Sequence, residues 1–200
     1  MGLTKVLLKH TLDLNFGEGF TFTSGMKSPV YCDNRLLTGN VKARDQVVKE
    51  FLNLIPNPPS EDTVIAGIAT AGISWGAIVA HELGLPFHYI RPESKGHGAQ
   101  KRIEGGSVTD KKVILIEDTI TTGGSSTSAI TELLREGAEI TSCLCIFSYR
   151  LDAVDINFRH LGIQPISLVN FQDIIDYLED TETPEEHLTI LKDWFFSRNV

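Results

Sequence analysis

An α/β fold, a parallel sheet flanked by helices, follows from two observations on this chain of 200 residues. Short apolar runs alternate with amphipathic segments along most of its length, the pattern of strand, right-handed crossover helix and strand. One run, Val113-Ile114-Leu115-Ile116, is apolar throughout and rich in β-branched residues before it stops at Glu117 and Asp118. A strand covered by helices on both faces reads in that way.

The elements follow in order. Periodicity predicts a helix over 3–14, an irregular segment with extended stretches to 35, and a helix over 40–54. Asn57-Pro58-Pro59-Ser60 then joins helix to strand at a length usual within one domain. Beyond it come a strand over 63–68, a helix over 73–83, a strand over 86–90 and a long loop. A strand over 112–117, a helix over 125–136 and a strand over 140–147 continue the alternation. The remainder reads as a helix over 152–160, a strand near 165–168, and helices over 170–178 and 184–198. There is no internal repeat or low-complexity tract, and 1–200 is expected to form one domain.

Composition sets the outer bounds. A net charge of −8 argues against general nucleic-acid binding, and no apolar stretch is long enough to span a bilayer. Lys5, Lys9, His10 and Asp13 interrupt the apolar positions at the start, unlike a signal peptide, so a soluble cytoplasmic protein is expected. Of three cysteines, Cys143 and Cys145 fall on one face of a strand-like run; with no C-x-x-C and no spaced histidine, they read as reduced core thiols. Cys32 is given no chemistry. His10, His81, His88, His160 and His187 lack metal-ligand spacing, whereas His97 stands in a more suggestive neighbourhood.

Chemistry concentrates in Glu117-Asp118-Thr119-Ile120-Thr121-Thr122-Gly123-Gly124-Ser125. Adjacent acids repel and cannot both hide, so both are expected to face the crevice at the carboxyl ends of the strands, where sugar hydroxyls would meet them. The hydroxyl residues, two glycines and the helix that begins near Ser125 supply N–H groups and a positive dipole end for an anion. Taken singly, these are also ordinary turn and N-cap residues. Neither G-x-G-x-x-G nor a P-loop is present. A second signal is the long gap from Arg91 to Lys111, where Arg91, Lys95, Lys101 and Arg102 face only Glu93 up to Arg102, with glycines at 96, 98, 105 and 106. Alone it would be a solvated loop; beside an anion loop it reads as a cationic lid.

The run from Glu117 to Ser125 resembles the phosphoribosyl pyrophosphate signature of the type I phosphoribosyltransferases. Arg91-Pro92-Glu93-Ser94-Lys95-Gly96-His97-Gly98, continued by Ile103-Glu104-Gly105, resembles the catalytic loop of the orotate branch. Phe22-Thr23-Ser24-Gly25-Met26-Lys27-Ser28-Pro29-Val30-Tyr31-Cys32-Asp33-Asn34-Arg35 resembles its orotate-side segment, and Ala69-Thr70-Ala71-Gly72-Ile73 its pyrophosphate loop.

The resemblance implies a type I phosphoribosyltransferase-like sheet with a small N-terminal hood, mainly from 1–40, and a mobile catalytic loop at 91–110. It implies transfer of phosphoribosyl to N1 of orotate, with Mg2+ held mainly by substrate and water, and a homodimer that shares the loop across subunits. Glu117 and Asp118 would bind the ribose hydroxyls, Asp118 catalytically; Thr121, Thr122, Gly123, Gly124 and Ser125 would wrap the 5′-phosphate, with Thr119 and Ile120 also contacting phosphoribosyl pyrophosphate. Thr70, Ala71 and Gly72 would meet pyrophosphate, and Arg91, Lys95 and His97 would grip it, with Lys95 or His97 delivering a proton. Thr121, Lys27, Tyr31, Arg35 and Arg150 would contact orotate. Thr23, Ile73 and Pro92 stand where many members have lysines, and Lys27, Lys101 or Arg102 are expected to compensate. A purine phosphoribosyltransferase and a non-catalytic phosphoribosyl pyrophosphate sensor are the alternatives.

Overall fold

The computed structural model describes residues 2–22, 24–92 and 102–199. Its centre is a six-stranded sheet of β5 (Thr63–Ile68), β6 (Phe87–Ile90), β7 (Ile103–Glu104), β8 (Lys112–Ile120), β9 (Glu139–Ser148) and β10 (Pro165–Asn170), in the order β10-β9-β8-β5-β6-β7. Every pairing is parallel except β6 with β7.

Helices cover both faces, which is why the central strands are apolar on both sides. On one face Ile65, Ile114, Ile116 and Leu144 pack with Leu7 of α1 (Leu3–His10), Phe51 of α2 (Val41–Leu54) and Trp75 of α3 (Ala71–Leu83). The same cluster takes in Phe171 of α6 (Phe171–Glu179) and Leu191 of α7 (Glu185–Phe196). On the other face Val113, Leu115, Cys143 and Cys145 meet Ile130 and Leu133 of α4 (Gly124–Arg135) and Phe158 of α5 (Asp152–Phe158).

From β5 the chain steps through α3 to β6 on one side, whereas β8 lies on the other side of β5 and leads outward to β9 and β10. The β5/β8 junction is therefore the topological switch point, where open α/β sheets leave a crevice. Three glycines bring the walls together there. A Cβ on Gly67 would lie 2.5 Å from the Gly72 carbonyl oxygen, one on Gly72 would lie 2.5 Å from that of Ile116, and one on Gly76 would meet the Phe87 ring at 2.8 Å.

Three expectations are corrected. The helix expected over 3–14 stops at His10, because Leu12–Leu14 leaves it as β1 and pairs antiparallel with β4 (Val30–Cys32). Thr11 marks the break, its Oγ1 donating to the Leu7 carbonyl at 3.1 Å. The expected long loop past residue 102 contains β7, with Ile103 and Val108 buried. And β8 runs on to Ile120, so the acids lie within the strand, not at its end. Between β1 and β4 sit β2 (Phe20–Thr21) and β3 (Lys27–Ser28), paired antiparallel, and a 3-10 helix follows over Asn34–Gly39.

Candidate active site

At the switch point β8 loses its neighbour on one side only. Its pairing with β5 ends at Gly67 opposite Ile116, while its pairing with β9 continues through Glu117, Thr119 and Ile120. The exposed edge of the last four residues forms the floor of a cleft. Side chains alternate there, so Glu117 and Asp118 point to opposite faces.

That alternation corrects the expectation that both acids would stand open. Glu117 is buried, with Oε1 accepting the Asp118 backbone N–H at 2.9 Å, while Asp118 is half-buried. Desolvation, reinforced by the neighbouring Asp118 charge, holds the Glu117 carboxyl well above the ordinary carboxylate range. Both acids still line a cavity of about 390 Å³ together with Thr70, Ala71 and Ser125.

Two helix ends open into this cavity's surroundings. Thr70 precedes α3 without a side-chain cap bond, and Gly123, at φ 83°, precedes α4, likewise uncapped. Their first N–H groups are thus left for an incoming anion. The α4 end is held from outside: Asn157 Nδ2 donates to the Thr122 carbonyl at 2.8 Å, and a Cβ at Gly123 would strike the Phe158 ring at 2.6 Å. Ser126 Oγ, missed by sequence reasoning, is buried in that turn without a partner among the described residues.

A second cavity, about 490 Å³, adjoins the first and shares Tyr31, Cys32 and Thr119 with it. Its further lining includes Phe22, Thr121 and Tyr149, so aromatic faces and hydroxyls stand together. Tyr149, also missed, is buried with its hydroxyl donating to the Val30 carbonyl at 3.1 Å, and Phe22 meets its ring edge-on at 5.4 Å. Burial raises the Tyr149 phenol and the Cys32 thiol, so both stay protonated.

None of the expected orotate-side cations is among the residues lining the aromatic cavity. Lys27 is exposed and borders a separate hollow beside Trp194, whose Nε1 donates to the Lys27 carbonyl. Arg35 lines the acid-floored cavity and is bound bidentately by Asp33 at 2.6 and 2.8 Å, which keeps the Asp33 carboxyl below its usual range. Arg150, at φ 50°, directly follows Tyr149 and is exposed.

Arg91 and Arg102 clasp the neck of the predicted lid. Arg91 N–H donates to the Arg102 carbonyl at 2.8 Å, and Arg102 Nε returns a bond to the Arg91 carbonyl at 3.1 Å. The Arg91 guanidinium pairs with Glu104 at 3.1 Å, while that of Arg102 reaches Ser128 Oγ at 3.1 Å. Lys95, His97, Lys101 and Thr23 lie outside the described residues. Pro92 lines a small hollow beside Arg91, and Ile73 is half-buried in the first turn of α3.

Cys32, Cys143 and Cys145 are free and buried. Among the described residues no group of three or more His, Cys, Asp or Glu converges as a metal cage. His187 stacks on Phe16 at 3.9 Å, and His88 is buried, which lowers its pKa. No helix among the described residues is long and apolar enough to cross a membrane.

An acid-floored cavity under two open helix ends, at the switch point of this sheet, is the architecture of a phosphoribosyltransferase, and the family model described as phosphoribosyl transferase domain matches residues 40–171. Relatives narrow the class. A Streptococcus pneumoniae protein named orotate phosphoribosyltransferase is 40% identical over 192 residues, covering 92% of this chain and 91% of its own length. One of the same name from Staphylococcus saprophyticus is 37% identical over 194 residues, 96% of each chain. The crystal structure of orotate phosphoribosyltransferase from Aeropyrum pernix superposes with a TM-score of 0.78 at 28% identity, over 90% of this chain and 99% of that one. The chain belongs to the orotate phosphoribosyltransferase family.

Proposed function

We propose that this enzyme transfers the 5-phosphoribosyl group of phosphoribosyl pyrophosphate to N1 of orotate, giving orotidine 5′-monophosphate and pyrophosphate in pyrimidine synthesis. The observation that carries the reading is the pair of adjoining cavities: one has acids and open helix ends, the other aromatics and hydroxyls, and they share Tyr31, Cys32 and Thr119. Ribose C1 and the base nitrogen would meet at that shared wall.

In this reading Glu117 and Asp118 take the ribose hydroxyls, and the Asp118 carboxylate offsets positive charge on the sugar as pyrophosphate leaves. The N–H groups from Thr121 to Ser125 hold the 5′-phosphate, and those of Thr70, Ala71 and Gly72 hold pyrophosphate. Phe22, Tyr31 and Tyr149 sandwich the flat base, and Arg150 meets its carboxylate. Arg91 exchanges Glu104 for pyrophosphate, joined by Lys95 and His97, one of which protonates the leaving group. Positioning and electrostatics supply the acceleration.

The donor set also suits Mg2+: carboxylate oxygens that form no closed cage among the described residues leave most coordination positions to substrate and water. Bound there, the ion would neutralise part of the pyrophosphate charge. We further propose residues 1–40 as the hood, a cytoplasmic homodimer, and a loop that acts across subunits. Mixing inactive Lys95→Ala with inactive Asp118→Ala should restore turnover in mixed dimers; no recovery refutes the shared loop.

The direct test follows orotate absorbance with phosphoribosyl pyrophosphate and magnesium, beside adenine, hypoxanthine and uracil. Orotate alone should be consumed at an appreciable rate. Consumption of a purine instead would move the enzyme to the purine branch, and no consumption of any base would favour a sensor.

A further inference from the structure

One polar side chain of the cleft wall has none of the roles above. Asn34 opens the 3-10 helix just after β4 and is wholly buried. Its Nδ2 donates twice, at 3.0 Å to the backbone carbonyl of Asp118 and at 3.0 Å to Oγ1 of Thr119. A single amide thus ties the base-side segment to two successive residues on the cleft floor.

Packing by itself does not call for asparagine there. Asn34 Oδ1 is buried and finds no partner among the described residues, and an unpaired buried oxygen costs stability that a small apolar residue would not. The two bonds it does make fall on a sensitive spot. Thr119 lines both cavities beside Cys32, a second residue of the shared wall. Because Thr119 Oγ1 accepts from Asn34, its own proton points away from the amide. The bond to the Asp118 carbonyl meanwhile fixes the 118–119 peptide, and with it the direction in which the Asp118 carboxylate leaves the strand.

We infer that Asn34 is a positioning residue for phosphoribosyl transfer: it holds the Asp118–Thr119 peptide and the Thr119 hydroxyl in register with the base-side segment. The inference rests on the reading of the two cavities as phosphoribosyl and base sites. Acceptor and donor must meet within a fraction of an ångström, so loss of this clamp slows the reacting complex more than it weakens either substrate.

Steady-state kinetics on the full chain with orotate, phosphoribosyl pyrophosphate and magnesium tests this in Asn34→Ala, Asn34→Asp, Thr119→Val and the Asn34→Ala/Thr119→Val double variant. Asparagine to aspartate keeps the shape and removes the donors. Each single change should lower kcat about tenfold or more, with both KM values within about threefold of the parent. The double variant should fall no further than the slower single one, since both changes cut the same link. If Asn34→Ala fails to fold by circular dichroism, Asn34→Asp and Thr119→Val carry the same requirement. A kcat within about twofold of the parent, a loss confined to KM, or multiplicative losses in the double variant overturn the inference. A parent inactive toward orotate overturns the function reading and this clamp with it; an active parent with unaffected Asn34 variants overturns the clamp alone.

Discussion

The floor and the wall of the cleft are built by different means. The floor, at the ends of β5 and β8, is set by ladder hydrogen bonds and by glycines that let backbones touch. The wall, from the N-terminal residues, contains only two-residue and three-residue strands and is moored by single side-chain bonds. Tyr149 holds Val30, Asn34 holds Asp118 and Thr119, and Trp194 holds Lys27. A floor made of main chain hardly moves without unfolding, which suits groups that all phosphoribosyl donors share. A wall moored by side chains can be re-cut by substitution, which suits choice of the base.

Substitutions can break that contrast or sharpen it. The largest effect is expected from Gly72→Val, because the added carbons meet the Ile116 carbonyl, which is main chain and cannot turn aside. Urea unfolding should report a loss of about 3 kcal/mol or more, with transfer abolished. A well-folded, active Gly72→Val enzyme would break the claim of a rigid floor. Next, Asp118→Asn should cut kcat/KM about 100-fold while the melting temperature stays close to the parent's.

On the base side, Arg150→Ala should raise the orotate KM about tenfold and leave that for phosphoribosyl pyrophosphate unchanged, whereas Lys27→Ala, beside a separate hollow, should leave both unchanged. Equal rises in both constants would erase the division of labour between floor and wall. Tyr149→Phe removes one mooring while the Val30 carbonyl keeps the Ser28 hydroxyl at 2.8 Å, so calorimetry should find about 1 kcal/mol less stability.

The smallest expected effect is in the pH profile of the unliganded protein. Glu117 keeps its proton in the folded chain above the ordinary value of 4.5, where the unfolded chain releases it. Over that window the folded state binds more protons, so stability falls as pH rises from 4.5 toward the raised value. Glu117→Gln should flatten this part of the curve in denaturant midpoints measured from pH 4 upward; an unchanged slope would show that Glu117 ionises normally.

The same contrast governs what the sequence made legible. β5 was readable to the residue as 63–68, and β9 and β10 nearly so, because each is an apolar run whose burial is written in its own side chains. The expected helix over 3–14 failed at residue 11 because Leu12 and Leu14 fit helical spacing as well as alternation. Their strand partners, Cys32 and Val30, lie too far along the chain for local periodicity to register. The residues from Thr70 to Gly72 and from Glu117 to Ser125, proposed to hold the phosphates and ribose, could be singled out because a motif is contiguous. Tyr149 and Asn34 could not, since Tyr149 acquires its place only where the chain leaving β9 meets β4, and Asn34 only where the 3-10 helix meets β8.

By itself the sequence determined the α/β class, the order of the core elements, the acid-and-hydroxyl loop and the family it resembles, since all of these are encoded within short windows by periodicity, turn chemistry and spacing. Tertiary structure decided the rest: that β8 continues past the acids and turns Glu117 inward, that Arg91 rests on Glu104, and that two cavities share one wall. Those outcomes depend on strand pairing and burial between distant segments, and the free energy of such contacts belongs to no single stretch of chain.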